Sequence, residues 1–85
     1  MQRTATIASP VGLHARPASV FVQAVVASGA AVTLRTPEKA VNAASILGVL
    51  SLGLGAGASV TLESDDEAAL ETLVSILETD LDGAS

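Results

Sequence analysis

The sequence has no cysteine, tyrosine or tryptophan, one histidine, one phenylalanine and four basic residues among 85. Without cysteine there is no disulfide, no thiolate nucleophile and no zinc–sulfur centre. A single histidine excludes a site that takes two imidazole ligands from one chain. One aromatic ring argues against stacking on nucleotide bases. Four bases against nine acids, a formal net charge of −5, make a poor nucleic-acid binder, because phosphate contacts need clustered cations.

What remains describes a small globular chain. It is 49% hydrophobic and 15% charged, which sets it apart from disordered polymers. Residues 1–85 read as a single domain, since one core does not split below roughly 250 residues. The charge is unevenly placed. Residues 1–62 carry Arg3, Arg16, Arg35 and Lys39 against Glu38, a net +3, whereas residues 63–85 carry eight acids and no base. Met1–Ile7 lacks the apolar h-region of a signal peptide. Ala40–Leu62 is uncharged and long enough to span a bilayer. It also holds Asn42, three serines and four glycines, and its apolar period changes partway. Two buried elements joined by a glycine loop fit better, with no membrane insertion and a cytoplasmic location.

Hydrophobic periodicity orders the elements. Arg3, Ala5 and Ile7 alternate with Thr4 and Thr6, so residues 3–8 read as a half-buried strand. Ser9-Pro10-Val11-Gly12 is turn material. From Arg16 to Ser28, Ala18, Phe21, Val22 and Val25 fall on one helical face, with Pro17 in the first turn and Gly29 as the stop. Ala31–Thr36 alternates again, Thr36–Lys39 is a turn, and Ala40–Asn42 is a short strand. Ser45 opens a short helix carrying Ile46, Leu47, Val49 and Leu50. A loop, Gly53–Gly57, precedes the alternating strand Ser59–Glu63. Ser64-Asp65-Asp66-Glu67 has the form of a capping box, followed by a stripe of Leu70, Leu73, Val74, Leu77 and Leu81. The order predicts an α+β fold, with helices on one face of a four-stranded, mainly antiparallel sheet.

The one strongly chemical constellation is Gly12-Leu13-His14-Ala15-Arg16-Pro17. A turn delivers His14 to a helix start, where the first N–H groups, those of Ala15 and Arg16 among them, are unpaired and the dipole is positive. Such an end attracts phosphate, and Arg16 adds a permanent cation. A neutral imidazole, with a free pKa of about 6.5, is a usable phosphoryl acceptor near pH 7. The helix end and Arg16 would spread charge in an in-line transfer. On the residues alone, His14 is either such an acceptor or a loop histidine that hydrogen-bonds locally.

Gly12-Leu13-His14-Ala15-Arg16-Pro17-Ala18 resembles the active-site signature of the HPr family, the histidine-containing phosphocarriers of the bacterial sugar phosphotransferase system. Val41 to Gly53, which includes Asn42-Ala43-Ala44-Ser45-Ile46-Leu47-Gly48, resembles the family's second signature, and the separation between the two matches. The resemblance implies an open-faced βαββαβα sandwich that is a carrier and not an enzyme. It implies that His14 accepts a phosphoryl group on Nδ1 from phosphorylated Enzyme I and passes it to a histidine on an Enzyme II A domain, with Arg16 stabilising the phosphate and Pro17 setting the helix start. Ser45 matches a serine that a dedicated kinase modifies in some bacteria, and Ile46, Leu47 and Leu50 match the docking surface. No cofactor and no metal is implied, and the working form is a monomer.

Several positions carry two readings. Leu47 and Leu50 are docking residues or core. Ser45 is a regulatory site or a helix N-cap only, and Ala44 stands where many relatives have a base. Gln23–Ala27 and Gly53–Ala58 lack the further bases common in the family, which predicts docking through Arg16 and apolar contact. The glycine loop follows no strand and lacks the Lys-Ser/Thr of a P-loop, so it reads as a structural turn. The acidic run from Glu63 to Asp82 reads as a solvated helix face. A same-fold regulatory phosphocarrier, of a nitrogen-related or dihydroxyacetone kinase branch, is the functional alternative. A binding module without phosphoryl transfer would lack the histidine or arginine, and both are present.

Overall fold

A computed structural model describes residues 1–79. The elements follow in the order β1 (Gln2–Thr6), α1 (Ala15–Ser28), β2 (Thr33–Arg35), β3 (Ala40–Asn42), α2 (Ile46–Ser51), β4 (Ser59–Glu63) and α3 (Glu67–Leu77). The four strands form one sheet in the order β1-β4-β2-β3, and every pairing is antiparallel. This is the βαββαβα order expected from the periodicity.

Period-2 alternation decides which face of the sheet is covered. Ala5, Ile7, Leu34, Val60 and Leu62 are buried and join Phe21, Val25, Leu70, Leu73 and Leu77 in one core. Gln2, Thr4, Thr6, Arg35, Ala40, Asn42 and Ser59 are exposed. The helices therefore lie on one side and the other face is polar and open. Phe21, fully buried, is the largest side chain in that core. Burying a side chain of that size contributes about 1.5–3 kcal/mol.

Local details depart from the sequence reading in three places. β1 is Gln2–Thr6 where the alternation predicts residues 3–8, although the Ile7 and Ala8 backbones continue its hydrogen bonding. β2 is shorter than the expected Ala31–Thr36, although the Ala43 N–H still donates to the Val32 carbonyl at 2.9 Å. Ser64 does not cap α3. Asp66 is the N-cap, and its Oδ1 accepts the Ala69 N–H at 3.0 Å, while Ser64 Oγ accepts the Asp66 N–H. Two capping-competent side chains stand two residues apart, and the chain bends at Asp65 before the first helical turn, so the later one takes the cap. Leu81 and the acids Asp80 and Asp82 lie outside the described residues.

β1 is an edge strand held on both sides. Inward, the Ile7 N–H donates to the Ala58 carbonyl at 2.9 Å and the Ile7 carbonyl accepts the Gly57 N–H at 2.8 Å. Outward, the Thr6 N–H donates to Glu78 Oε2 at 3.3 Å and the Ala8 N–H to the Leu77 carbonyl at 3.0 Å. The C-terminal end of α3 thus fixes the strand that leads into the His14 loop.

Candidate functional site

The loop between β1 and α1 is built from its backbone. The Ser9 carbonyl accepts the Gly12 N–H at 3.0 Å and closes a turn. Gly12 has φ +76°, a conformation that side chains other than glycine's resist. Leu13 is buried, and its N–H donates to the Leu54 carbonyl at 2.8 Å. His14 is the N-cap of α1, with extended backbone at φ −128° and ψ 164°. Its side chain makes no capping bond and is exposed. The imidazole is therefore placed by backbone geometry, and its ring stays available to a partner.

The start of α1 brings the candidate groups together. Ala15 and Arg16 are the first two helical residues, and their N–H groups have no intrahelical acceptor. Pro17, buried at the third position, carries no N–H at all. The Ala18 N–H reaches back to the His14 carbonyl at 3.5 Å. Two backbone donors thus remain at the positive end of the helix, beside the exposed Arg16 side chain. Arg16 forms no ion pair with any described residue.

The other cations are engaged elsewhere. Arg3 pairs with Glu67 at 3.3 Å and Arg35 with Glu63 at 2.9 Å. Lys39 Nζ donates to Ser51 Oγ at 3.0 Å. Glu63 is held below the usual glutamate range, first by the hydrogen bond from the Gln2 side chain, then by the hydrogen bond and charge of Arg35. The net +3 of residues 1–62 is therefore largely matched by acids of β4 and α3. Among the described residues, no three His, Asp or Glu side chains converge to hold a metal ion.

The short helix α2 packs against α1 and β3. Ser45 is its N-cap, half-buried, and Ser45 Oγ accepts the Gly48 N–H at 3.1 Å. The expected docking residues divide. Leu47 is 79% exposed and Ile46 38%, whereas Leu50 is half-buried and packs against the core. Val49, fully buried, is the anchor of the helix. Six residues cannot turn all four apolar side chains inward, so Leu47 and Ile46 are left facing solvent.

Sequence reasoning missed the contact between the His14 loop and the glycine loop. A Cβ on Gly12 would collide with the Leu54 carbonyl oxygen and lie 2.8 Å from Gly55 Cα, so the two backbones touch. The available signal was Leu54, the one large apolar residue in Gly53-Leu54-Gly55-Ala56-Gly57, which is buried. The broader surface concavities lie elsewhere, one of them bounded by Arg3, Glu71, Val74, Ser75, Glu78 and Thr79. His14 stands on an exposed loop end that suits a group exchanged between proteins better than a small molecule enclosed in a pocket.

Comparison with known proteins agrees with this geometry. The family described as "PTS HPr component phosphorylation site" matches residues 1–79. The phosphocarrier protein HPr of Streptomyces coelicolor is 45% identical over 80 residues, covering 89% of this chain and 86% of the relative. That of Lysinibacillus sphaericus is 43% identical over 75 residues, covering 85% of each. The solved structure of HPr from Thermoanaerobacter tengcongensis superposes with a TM-score of 0.86 at 38% identity, covering 92% of this chain and 91% of that one. Among the described residues, no helix is long and apolar enough to cross a membrane. An open-faced sandwich of this topology, matched along nearly its whole length at these identities, places the chain in the HPr family of phosphocarrier proteins of the phosphotransferase system.

Proposed function

We propose that this protein carries phosphoryl groups on His14 during sugar uptake, receiving them from phosphorylated Enzyme I and delivering them to a histidine of an Enzyme II A domain. The observation that carries this reading is the exposed, uncapped imidazole of His14 at a helix start, where the first N–H groups have no intrahelical acceptor and Arg16 forms no ion pair with any described residue. In the accepting step the lone pair of His14 Nδ1 attacks the phosphorus of the donor phosphohistidine. A new P–N bond forms as the donor's P–N bond breaks, and the donor imidazole leaves with the bonding pair. The Ala15 and Arg16 N–H groups and the Arg16 guanidinium stabilise the charge on the equatorial oxygens. Pro17 keeps the first turn in helical geometry. In delivery the acceptor histidine attacks the phosphorus, its P–N bond forms as that of His14 breaks, and the His14 imidazole leaves with the bonding pair, so the site must hold the group without trapping it.

Leu47 and Ile46 form the apolar part of the docking surface and Leu50 supports them from the core side. Ser45 caps α2 and is the position that a serine kinase would modify. Residues 1–85 act as one phosphocarrier domain, a cytoplasmic monomer that needs no cofactor and turns over no substrate of its own. The test is incubation with phosphoenolpyruvate and Enzyme I followed by intact-mass measurement. One acid-labile phosphate is expected, absent in His14→Ala. Phosphate incorporation that persists in that variant overturns the assignment.

A further inference from the structure

The imidazole of His14 has no side-chain capping bond, so its position depends on whatever fixes the backbone just before it. On the α1 side that is the helix itself. On the β1 side, the last backbone anchor before His14 is the Leu13 N–H, which donates to the Leu54 carbonyl at 2.8 Å. Leu54 belongs to the glycine loop and not to the His14 loop. Its side chain is 6% exposed and sits in the core, while its neighbours Gly53 and Gly55 have no side chain to anchor the loop.

The rest of the contact is equally close. Gly12 at φ +76° leaves no room for a Cβ against Leu54 and Gly55. Gly57, at the far end of the loop, donates its N–H to the Ile7 carbonyl at 2.8 Å, and the Ala58 N–H donates to the Gly55 carbonyl at 3.1 Å. The glycine loop is thus attached to Ile7, just past β1, at one end and to Leu13 at the other, with Leu54 as its one buried apolar anchor. A shift of about 1 Å in a reacting group can cost on the order of a hundredfold in rate. A displaced Leu54 carbonyl would release Leu13 and pass that displacement to the next residue, His14.

We propose that Leu54 is a positioning residue for phosphoryl transfer: its buried side chain holds its own carbonyl against the Leu13 N–H, and so sets the backbone from which His14 projects. This rests on His14 being the phosphoryl acceptor. The glycine loop then has a role in the reaction that its lack of any ligand-binding motif conceals.

The test compares Leu54→Ala with Leu70→Ala, a truncation of a fully buried core residue in α3. Leu54→Ile is the conservative variant. Each is assayed as the acceptor for phosphorylated Enzyme I at a temperature where it is folded, and kcat and KM are separated. The through-hydrogen-bond coupling between the Leu13 nitrogen and the Leu54 carbonyl carbon is read by NMR in the same samples. Leu54→Ala is expected to lower kcat by about ten- to a hundredfold. Its KM should stay within about twofold and its coupling should be weakened, while Leu54→Ile restores both readouts and Leu70→Ala alters neither. Should Leu54→Ala fail to fold, Leu54→Val is judged by the same criteria. A folded Leu54→Ala, or Leu54→Val in its place, with unchanged kcat, or an equal loss in Leu70→Ala, overturns the positioning role. A wild-type protein that takes no phosphate at His14 refutes the phosphocarrier reading, a different failure visible before any variant is made.

Discussion

Arg35 donates from Nη2 to Glu63 Oε1 at 2.9 Å across the β2–β4 ladder, and Gln2 Nε2 donates to the other carboxylate oxygen at the same distance. Glu63 thus links the edge strand β1 to β2 on the open face of the sheet. Its carboxyl titrates below the usual range in the folded protein, so the ionised form favours folding. That contribution is complete above the unfolded value of about 4.3 and is lost as the pH falls through the lowered folded value. Glu63→Gln should therefore be less stable than the parent at pH 7, with the gap closing in acid. Urea midpoints for both proteins at pH 7 and pH 3 measure this, and a gap of equal size at the two values would contradict it.

With Arg3 and Arg35 paired, Arg16 is the cation left at the start of α1. Association with Enzyme I should depend weakly on salt. Steered partners gain about ten- to a thousandfold in on-rate and lose it with ionic strength, whereas here a change of less than about threefold is expected between low and physiological salt. Stopped-flow association across that range measures the slope, and a steep fall would show cationic steering that these residues do not supply.

Arg16→Ala removes a permanent charge beside the proposed phosphate position but leaves the start of the helix and its backbone N–H groups in place. Transfer from Enzyme I should slow by about ten- to a thousandfold, the scale of losing one charge-stabilising contact. Rapid-quench phosphorylation kinetics would detect it. An unchanged rate would refute the role assigned to the guanidinium.

Gly12 and Gly29 both have positive φ, but nothing lies within 4 Å of a Cβ built on Gly29, while one on Gly12 meets the backbone of Leu54 and Gly55. Gly29→Ala should lower the melting temperature by about 4–8 °C, the shift that a ~1 kcal/mol conformational cost makes in a domain of this size. Gly12→Ala carries the same conformational cost and a steric one, so its shift should be clearly larger. Calorimetry of the two variants decides this, and equal shifts would show that the loops do not press together.

The parts of the molecule legible in its sequence were those governed by local periodicity. Phe21 and Val25 on α1, Val60 and Leu62 on β4, and Leu70 and Leu73 on α3 all face the core as their spacing requires. Gly29 ends α1 in the left-handed conformation expected of it. The turn that delivers His14 and Arg16 to the start of α1 was equally visible. Ambiguity arose where a pattern is too short or too symmetrical to choose. In six residues of α2, no period distinguishes the exposed Leu47 from the half-buried Leu50. Ser64 and Asp66 have nearly the same capping chemistry, and the bend at Asp65 chooses between them. The Leu13–Leu54 bond joins backbone groups of distant loops, which leave no composition to read, so the lone large apolar Leu54 among the glycines pointed to an anchored loop but not to its partner.

The way α3 ends against β1 bears on how this protein tolerates crowding by its own copies. A sheet rim with free N–H groups is a template for strand addition. On the β1 rim, the Glu78 carboxylate and the Leu77 carbonyl already occupy the Thr6 and Ala8 donors. The opposite rim is β3, only three residues long and preceded by Pro37, Glu38 and Lys39. Neither rim offers a long, flat, unpaired register, so the sheet is a poor seed for fibres.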